Sequence, residues 1–219
     1  SKNIAIGTNT MANSVTTGIN NIGIGTNAMD ALTSGICNVA IGTNALGAAT
    51  TGHRNVAMGW LALGAGVVTG DDNVAIGNSP GDALTTGTNN VAVGRNALGA
   101  STTGCYNIAI GRDALGAALT GNANVGLGTW AGDALTSGIG NVAIGCNTLG
   151  ASTTGCQNIA IGNYALGQAD TTGNYNIAFG WAAMDALTSG SQNFAMGQDS
   201  MGVATSGIGN VAIGCNSLG

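Results

Sequence analysis

The sequence predicts an all-β fold, a parallel β-solenoid of about thirteen coils with 17–18 residues in each, forming a single repeat domain over residues 1–219. Three observations carry this expectation. An Asn followed by a short apolar tetrad recurs at Asn3, Asn21, Asn38, Asn55, Asn73, Asn90, Asn107, Asn124, Asn141, Asn158, Asn176, Asn193 and Asn210, at intervals of 17 residues and of 18 on three occasions. The chain holds 40 glycines, and the two or three in a coil would each cost a helix about 1 kcal/mol relative to Ala. Within each tetrad, large aliphatic residues alternate with small ones, which is the period of a strand. Seventeen residues are too few to enclose a core, so each coil must cover its apolar row with its neighbours.

The consensus reads N-(V/I)-A-(I/M)-G-x-N-A-L-G-A-x-T-T-G-x-x, as in Asn38 to Arg54, NVAIGTNALGAATTGHR. Its first element is the strand. Alternation sends Val39 and Ile41, Ile108 and Ile110, and Phe194 and Met196 to one side, expected to be the core, and Asn, Ala and Gly to the other. The Leu or Met eight places after the Asn (Met29, Leu46, Leu63, Leu98, Leu115, Leu149, Leu166, Met184, Met201) should join that core. Gly81 and Gly132 interrupt this row, and Leu84 and Leu135 are placed to fill the gaps. Invariant Asn residues stacked in register should form a ladder of side-chain amides, here Asn38, Asn55, Asn73, Asn90, Asn107 and Asn141. Gly42, Gly59, Gly77, Gly94, Gly111 and Gly145 close the strands and, with the T-T-G glycines, supply positive φ at the corners.

The extra residues of the longer coils fall between the Leu and the T-T-G, marking that turn as an outward, tolerant corner. At about 4.8 Å per coil the stack would form a rod of about 60 Å. A longer period is also present. Asp30, Asp82, Asp133 and Asp185 head D-A-L-T-(S/T)-G segments spaced 52, 51 and 52 residues apart, as duplication of a three-coil unit would leave them.

The third strand position is Ala eleven times and Gly twice, at Gly23 and Gly126, so something approaches it closely. Either the coil is thin and this row is internal, or identical chains pack along it. A homotrimer packed about an axis is the expectation, because a narrow Ala-rich coil buries little apolar area by itself.

The motif NVAIGxNAL…TTG, at Asn38, Asn90 and Asn141, resembles the repeats of phage and bacterial tail-fibre proteins. Its NVAIG element is similar to the head repeats of trimeric autotransporter adhesins. That resemblance implies a left-handed parallel β-roll, a trimer, and an extracellular place in a phage tail fibre or bacterial cell-surface appendage. The coil here is longer than that of the adhesin heads.

Composition narrows the chemistry. Four scattered cations (Lys2, Arg54, Arg95, Arg112) in a chain of net charge -5 argue against nucleic acid as a partner. Asn and Gly interrupt the apolar residues too often for a membrane-spanning helix, so no membrane insertion is expected. The chain opens on Ser1 inside the repeat without a leader-like start, and reads as a mature product or a fragment. Glu is absent, the nine Asp are dispersed and the one histidine, His53, lies in a variable corner, so no catalytic, cofactor-binding or metal-binding residue is assigned and no enzyme activity is expected. The five cysteines (Cys37, Cys105, Cys146, Cys156, Cys215) are an odd count, those at equivalent places lie several coils apart, as Cys105 and Cys156 do, beyond disulfide reach, and they read as lone corner thiols, with interchain bridges the alternative.

Individuality is confined to the corners. Trp60, Trp130, Tyr164 and Trp181 follow the strand glycine, and Tyr106 and Tyr175 follow the T-T-G, as candidate contacts for a glycan or protein receptor. The leading functional expectation is a structural fibre or adhesin shaft or head, a rigid rod for attachment to a cell surface or host receptor. One alternative is a self-assembling extracellular filament or surface-layer subunit. A further one is ice binding through the stacked Thr corners, where replacement of the second Thr by Ser at Ser34, Ser137, Ser189 and Ser206 weakens a flat two-row face.

Overall fold

The computed structural model describes residues 2–12 and 15–218. It holds thirteen three-residue strands, one to each repeat, and no helix among the described residues. The chain divides into two compact units, Ser1–Asn107 and Ile108–Gly219, each a parallel β-solenoid. The first contains β1 (Ile4–Ile6), β2 (Ile22–Ile24), β3 (Val39–Ile41), β4 (Val56–Met58), β5 (Val74–Ile76) and β6 (Val91–Val93). The second contains β7 (Ile108–Ile110), β8 (Val125–Leu127), β9 (Val142–Ile144), β10 (Ile159–Ile161), β11 (Ile177–Phe179), β12 (Phe194–Met196) and β13 (Val211–Ile213).

Within each unit, strands pair in sequence order and parallel, so that equivalent residues stand side by side. Val39, Ala40 and Ile41 lie against Val56, Ala57 and Met58 in the first unit, and Val142, Ala143 and Ile144 against Ile159, Ala160 and Ile161 in the second. The 18-residue coil from Asn55 keeps the same register, Val56 against Val74. Its additional residue is taken up at the corner where Val67 is exposed.

The two-residue alternation is as expected, but the buried side of the strand is the opposite one. Ala40, Ala57, Ala75, Ala109, Ala143 and Ala178 are fully buried, whereas the Val, Ile, Met and Phe beside them are half-buried or exposed. The cause is the calibre of the coil. A Cβ added at Gly126 would stand 2.9 Å from the Leu115 Cγ and 2.9 Å from the Ala131 carbonyl oxygen. Even a methyl group would force a shift at Gly126, and Ala is the largest side chain at this place in the other coils, so a Val or Ile row turned inward would not fit. The coil is thin, the Ala row is internal, and copies of the chain cannot pack along it.

The opposite wall of the core is the expected Leu and Met row: Met29, Leu46, Leu63, Leu98, Leu115, Leu149, Leu166, Met184 and Met201 are all buried. Leu84 and Leu135 are buried too; a Cβ on Gly132 would come 3.0 Å from the Leu135 Cδ1, so Leu135 does stand at its gap, whereas a Cβ on Gly81 would meet the Leu63 Cδ2 at 3.0 Å. They belong to a third buried row that includes Leu32 and Leu187, whose own coils keep a Met in the second row. Small residues, Ala49, Ser101 and Ser152, take that place in the following coils, which gives the longer sequence period its packing basis.

Two glycine classes serve different ends. The strand glycines have positive φ, 137° at Gly42, as expected. The T-T-G glycine Gly52 does not, and is required for another reason: its Cβ would lie 2.6 Å from the carbonyl oxygen of Gly70 in the next coil. Non-glycine residues also enter the left-handed region, with φ of 56° at Asn44 and 49° at Leu46. That conformation costs about 1–2 kcal/mol, which complete burial of the Leu side chain, worth about 1.5–3 kcal/mol, offsets.

Overfilling the inner row should therefore be costly while a similar change outside should not. Ala57→Leu is expected to lower the unfolding free energy by about 1–3 kcal/mol in a urea titration, and Val56→Ile on the outer side of the same strand to change it by less than about 0.5 kcal/mol.

Candidate functional site

The invariant Asn side chains are built into the core wall. Alternation puts each on the Ala side of the strand, and Asn38, Asn55, Asn73, Asn90, Asn107 and Asn141 are all buried. The Asn38 Nδ2 donates to the Gly52 carbonyl at 2.8 Å, closing its own coil, and to the Asn21 Oδ1 at 3.1 Å, joining the coil before. The Asn21 Oδ1 also accepts the Asn38 backbone N–H at 2.9 Å. The same set recurs at Asn90, through the Gly104 carbonyl at 2.8 Å and the Asn73 Oδ1 at 3.1 Å, and at Asn141, through the Gly155 carbonyl at 2.7 Å and the Asn124 Oδ1 at 3.1 Å. An amide offers two donors and one carbonyl oxygen, and all three groups are used. Aspartate would lose the donors and leucine all three.

A second, shallower ladder was not assigned from sequence. Asn9, Asn27 and Asn44 bond one to the next through side chains at 3.2 and 3.1 Å, and the second Asn of the consensus was its signal. The T-T-G corner has a comparable device. The first Thr donates its hydroxyl to a carbonyl of the next coil, as from Thr33 to Thr50 at 2.9 Å and from Thr85 to Thr102 at 3.0 Å. The following residue, Ser34, Thr51, Thr86 or Thr103, is exposed. The exposed hydroxyls thus stand in one file in the first unit, while in the second Thr136 and Thr188 are exposed beside Ser137 and Ser189.

Inversion of the strand exposes an apolar surface. All twelve outward strand positions of the first unit and all fourteen of the second are Val, Ile, Leu, Met or Phe, two from each strand of β1–β6 and β7–β13. Met58 and Ile76 are each 38% exposed in the first unit, and Phe179 and Met196 are 40% and 50% exposed in the second. None of the chain's thirteen charged residues, four basic and nine acidic, lies in a strand.

The corners hold the predicted contact residues. Trp60, Trp130, Trp181, Tyr106, Tyr164 and Tyr175 are all exposed, from 39% at Trp130 to 62% at Tyr106. The Arg112 guanidinium lies 4.3 Å from the Trp130 ring centroid. His53 is held rather than free: its Nδ1 accepts the Ile36 N–H at 3.0 Å and its own N–H donates to the Asp71 Oδ1 at 2.8 Å. Arg54 forks onto Asp72, Nε to Oδ1 at 2.6 Å and Nη2 to Oδ2 at 2.9 Å, which holds the Asp72 carboxyl below its usual range. Among the described residues the five cysteines form no disulfide, and no group of three or more metal-ligating side chains converges.

Asp82, Asp133 and Asp185 occupy equivalent corners, where burial pushes each carboxyl above its ordinary value. One Asp133 carboxylate oxygen is buried without a hydrogen-bond partner. A carboxyl raised in the folded state favours folding most while protonated, and that contribution is lost as pH rises from the ordinary carboxylate value through the raised one. Asp133→Asn should accordingly unfold at higher denaturant than the parent at pH 7, with the difference shrinking towards pH 3.5. In the ladders, Asn90→Ala is expected to cost about 1–3 kcal/mol, because a buried carbonyl loses its donor, and Asn27→Ala less than about 1 kcal/mol; urea midpoints of the two variants give the comparison.

Comparison with protein-family models and with curated proteins found no match.

Proposed function

We propose that the chain is a structural element of an extracellular fibre or adhesin, of the kind carried on a phage tail or a bacterial surface, built by side-by-side packing of identical chains. One observation carries the reading: the outward strand face is apolar at every position in both units, on a sheet whose inner face is already filled. A sheet facing water alternates polar with apolar residues. In this chain both sides of the strand are apolar, which is the pattern of a strand covered twice. Covering by further copies follows from the self-similarity of the face: two large apolar residues recur at the same places in every coil, so two such faces interdigitate along their length. A closed homotrimer leaves none of this surface bare, and the charged and aromatic corners then form its outside.

Ladders on both walls of the coil make each unit resist bending, as reach and attachment require, and the corners vary because the buried Asn ladder does not depend on their side chains. Contact with a glycan or protein receptor belongs to them. The ice-binding reading has less support, since Thr33, Thr85, Thr120, Thr136, Thr172 and Thr188 each spend their hydroxyl on a carbonyl of the next coil. No catalytic role enters this proposal.

Solution mass by light scattering tests it. The parent chain is expected at the mass of three chains, independent of concentration. Val74→Asp combined with Ile159→Asp should give a single chain that keeps its β circular dichroism, because both side chains lie outside the monomer core. A monomeric parent would sink the proposal, and a mass that grows with concentration would replace the closed trimer by a filament.

A further inference from the structure

We propose that in the second unit the corner following the strands is a binding ridge for an extended, uncharged β-1,4-linked glycan. The inference rests on the reading of the chain as an attachment element and names what one of its corners attaches to.

Three aromatic residues, Trp130, Tyr164 and Trp181, fall within four successive coils on this corner, 39%, 40% and 51% exposed. Their spacing is set by backbone ladders. The Trp130 N–H donates to the Arg112 carbonyl at 3.0 Å, the Asn147 N–H to the Thr129 carbonyl at 3.0 Å and the Tyr164 N–H to the Cys146 carbonyl at 3.0 Å, one rung per coil. Trp130 and Tyr164 share the same left-handed backbone, with φ of 57° and 60°, so the two side chains leave equivalent sites two coils apart. Two coils span about 10 Å. In an extended β-1,4-linked chain of pyranose rings every second ring presents the same face, and that two-ring repeat is comparable in length to two coils, so a glycan running along the ladder meets both rings in one register. Trp181, one coil beyond Tyr164, stands at the neighbouring corner position, that of Asn163.

The polar groups between the rings suit sugar hydroxyls. Asn147 stands between Trp130 and Tyr164, and Asn163 adjoins Tyr164 and uses its Oδ1 to accept the Cys146 N–H at 3.0 Å, which leaves its Nδ2 as the donor it offers a ligand. The two corner positions of these four coils carry no charge, and the neighbouring Arg112 is paired with Asp113. Arg112, above the Trp130 ring, pins it. Rings held on a fixed ladder lose little freedom on binding, which favours a rigid, extended ligand. A folded or helical α-linked polymer cannot keep this register.

The test is depletion of the full chain from solution by cellulose, by chitin and by starch. The parent is expected on cellulose or chitin and not on starch. Trp130→Ala combined with Tyr164→Ala should weaken binding by about tenfold or more. Trp130→Phe combined with Tyr164→Phe, which keeps the rings, and Gln157→Ala, on another corner, should bind as the parent does. A parent retained by neither β-linked polymer, or retained equally by starch, overturns the inference, as does binding unchanged in the double Ala variant. Solution mass of the same samples separates the two readings: a trimer that binds no glycan refutes the ridge alone, and a monomer that binds refutes the fibre alone.

Discussion

A primary amide buried at the head of each coil is the interaction on which the rest of this structure depends. Its Nδ2 reaches the T-T-G carbonyl of its own coil and so closes it, and its Oδ1 takes the backbone N–H of the next coil and so sets the step. Closing and stacking are thereby tied to one side chain. An amide inside a low-dielectric core is stabilising only while all its groups are bonded, and a slip of one residue in register would strand a row of them. Such a penalty, repeated at every coil, keeps strands of three residues in register when their few backbone hydrogen bonds alone would not.

The thinness of the coil follows from the same arrangement. For Asn to reach across to the T-T-G carbonyl, the two walls must lie close, and close walls admit only Ala or Gly at the middle of the strand. The large β-branched residues, favoured in strands, are then forced outside. A core of Ala and a single Leu or Met row is thus coupled to an apolar exterior, and the geometry that makes a coil narrow also gives the proposed assembly its adhesive face.

Corners are exempt from these constraints. The charged residues sit there, as do the insertions and most of the exposed aromatic residues, because a corner side chain joins no core row. Several corner groups interact along the stack: Arg54 with Asp71 and Asp72, Arg112 with Trp130, Gln168 with Asp185. Each pair joins one coil to the next, so even variable positions are read in columns, and a ligand long enough to span several coils would see them that way.

Much of this was legible in the sequence because it depends on period. The repeat of 17 or 18 residues determined the parallel strands, the buried Leu and Met row and the alternation within each strand, and the invariance of Asn marked a ladder. The restriction to Ala at Ala40 and its equivalents also showed that something lay close. Which side of the strand was inside could not be read from alternation, since a period of two is symmetric between its faces, and hydrophobicity assigned Val39 and Ile41 to the core. Only the tertiary structure decided it, through the distance across the coil from Gly126 to Leu115. The left-handed backbone at Leu46 and the close approach that requires Gly52 were hidden for the same physical reason: both are imposed by the next coil rather than by residues near them in the chain.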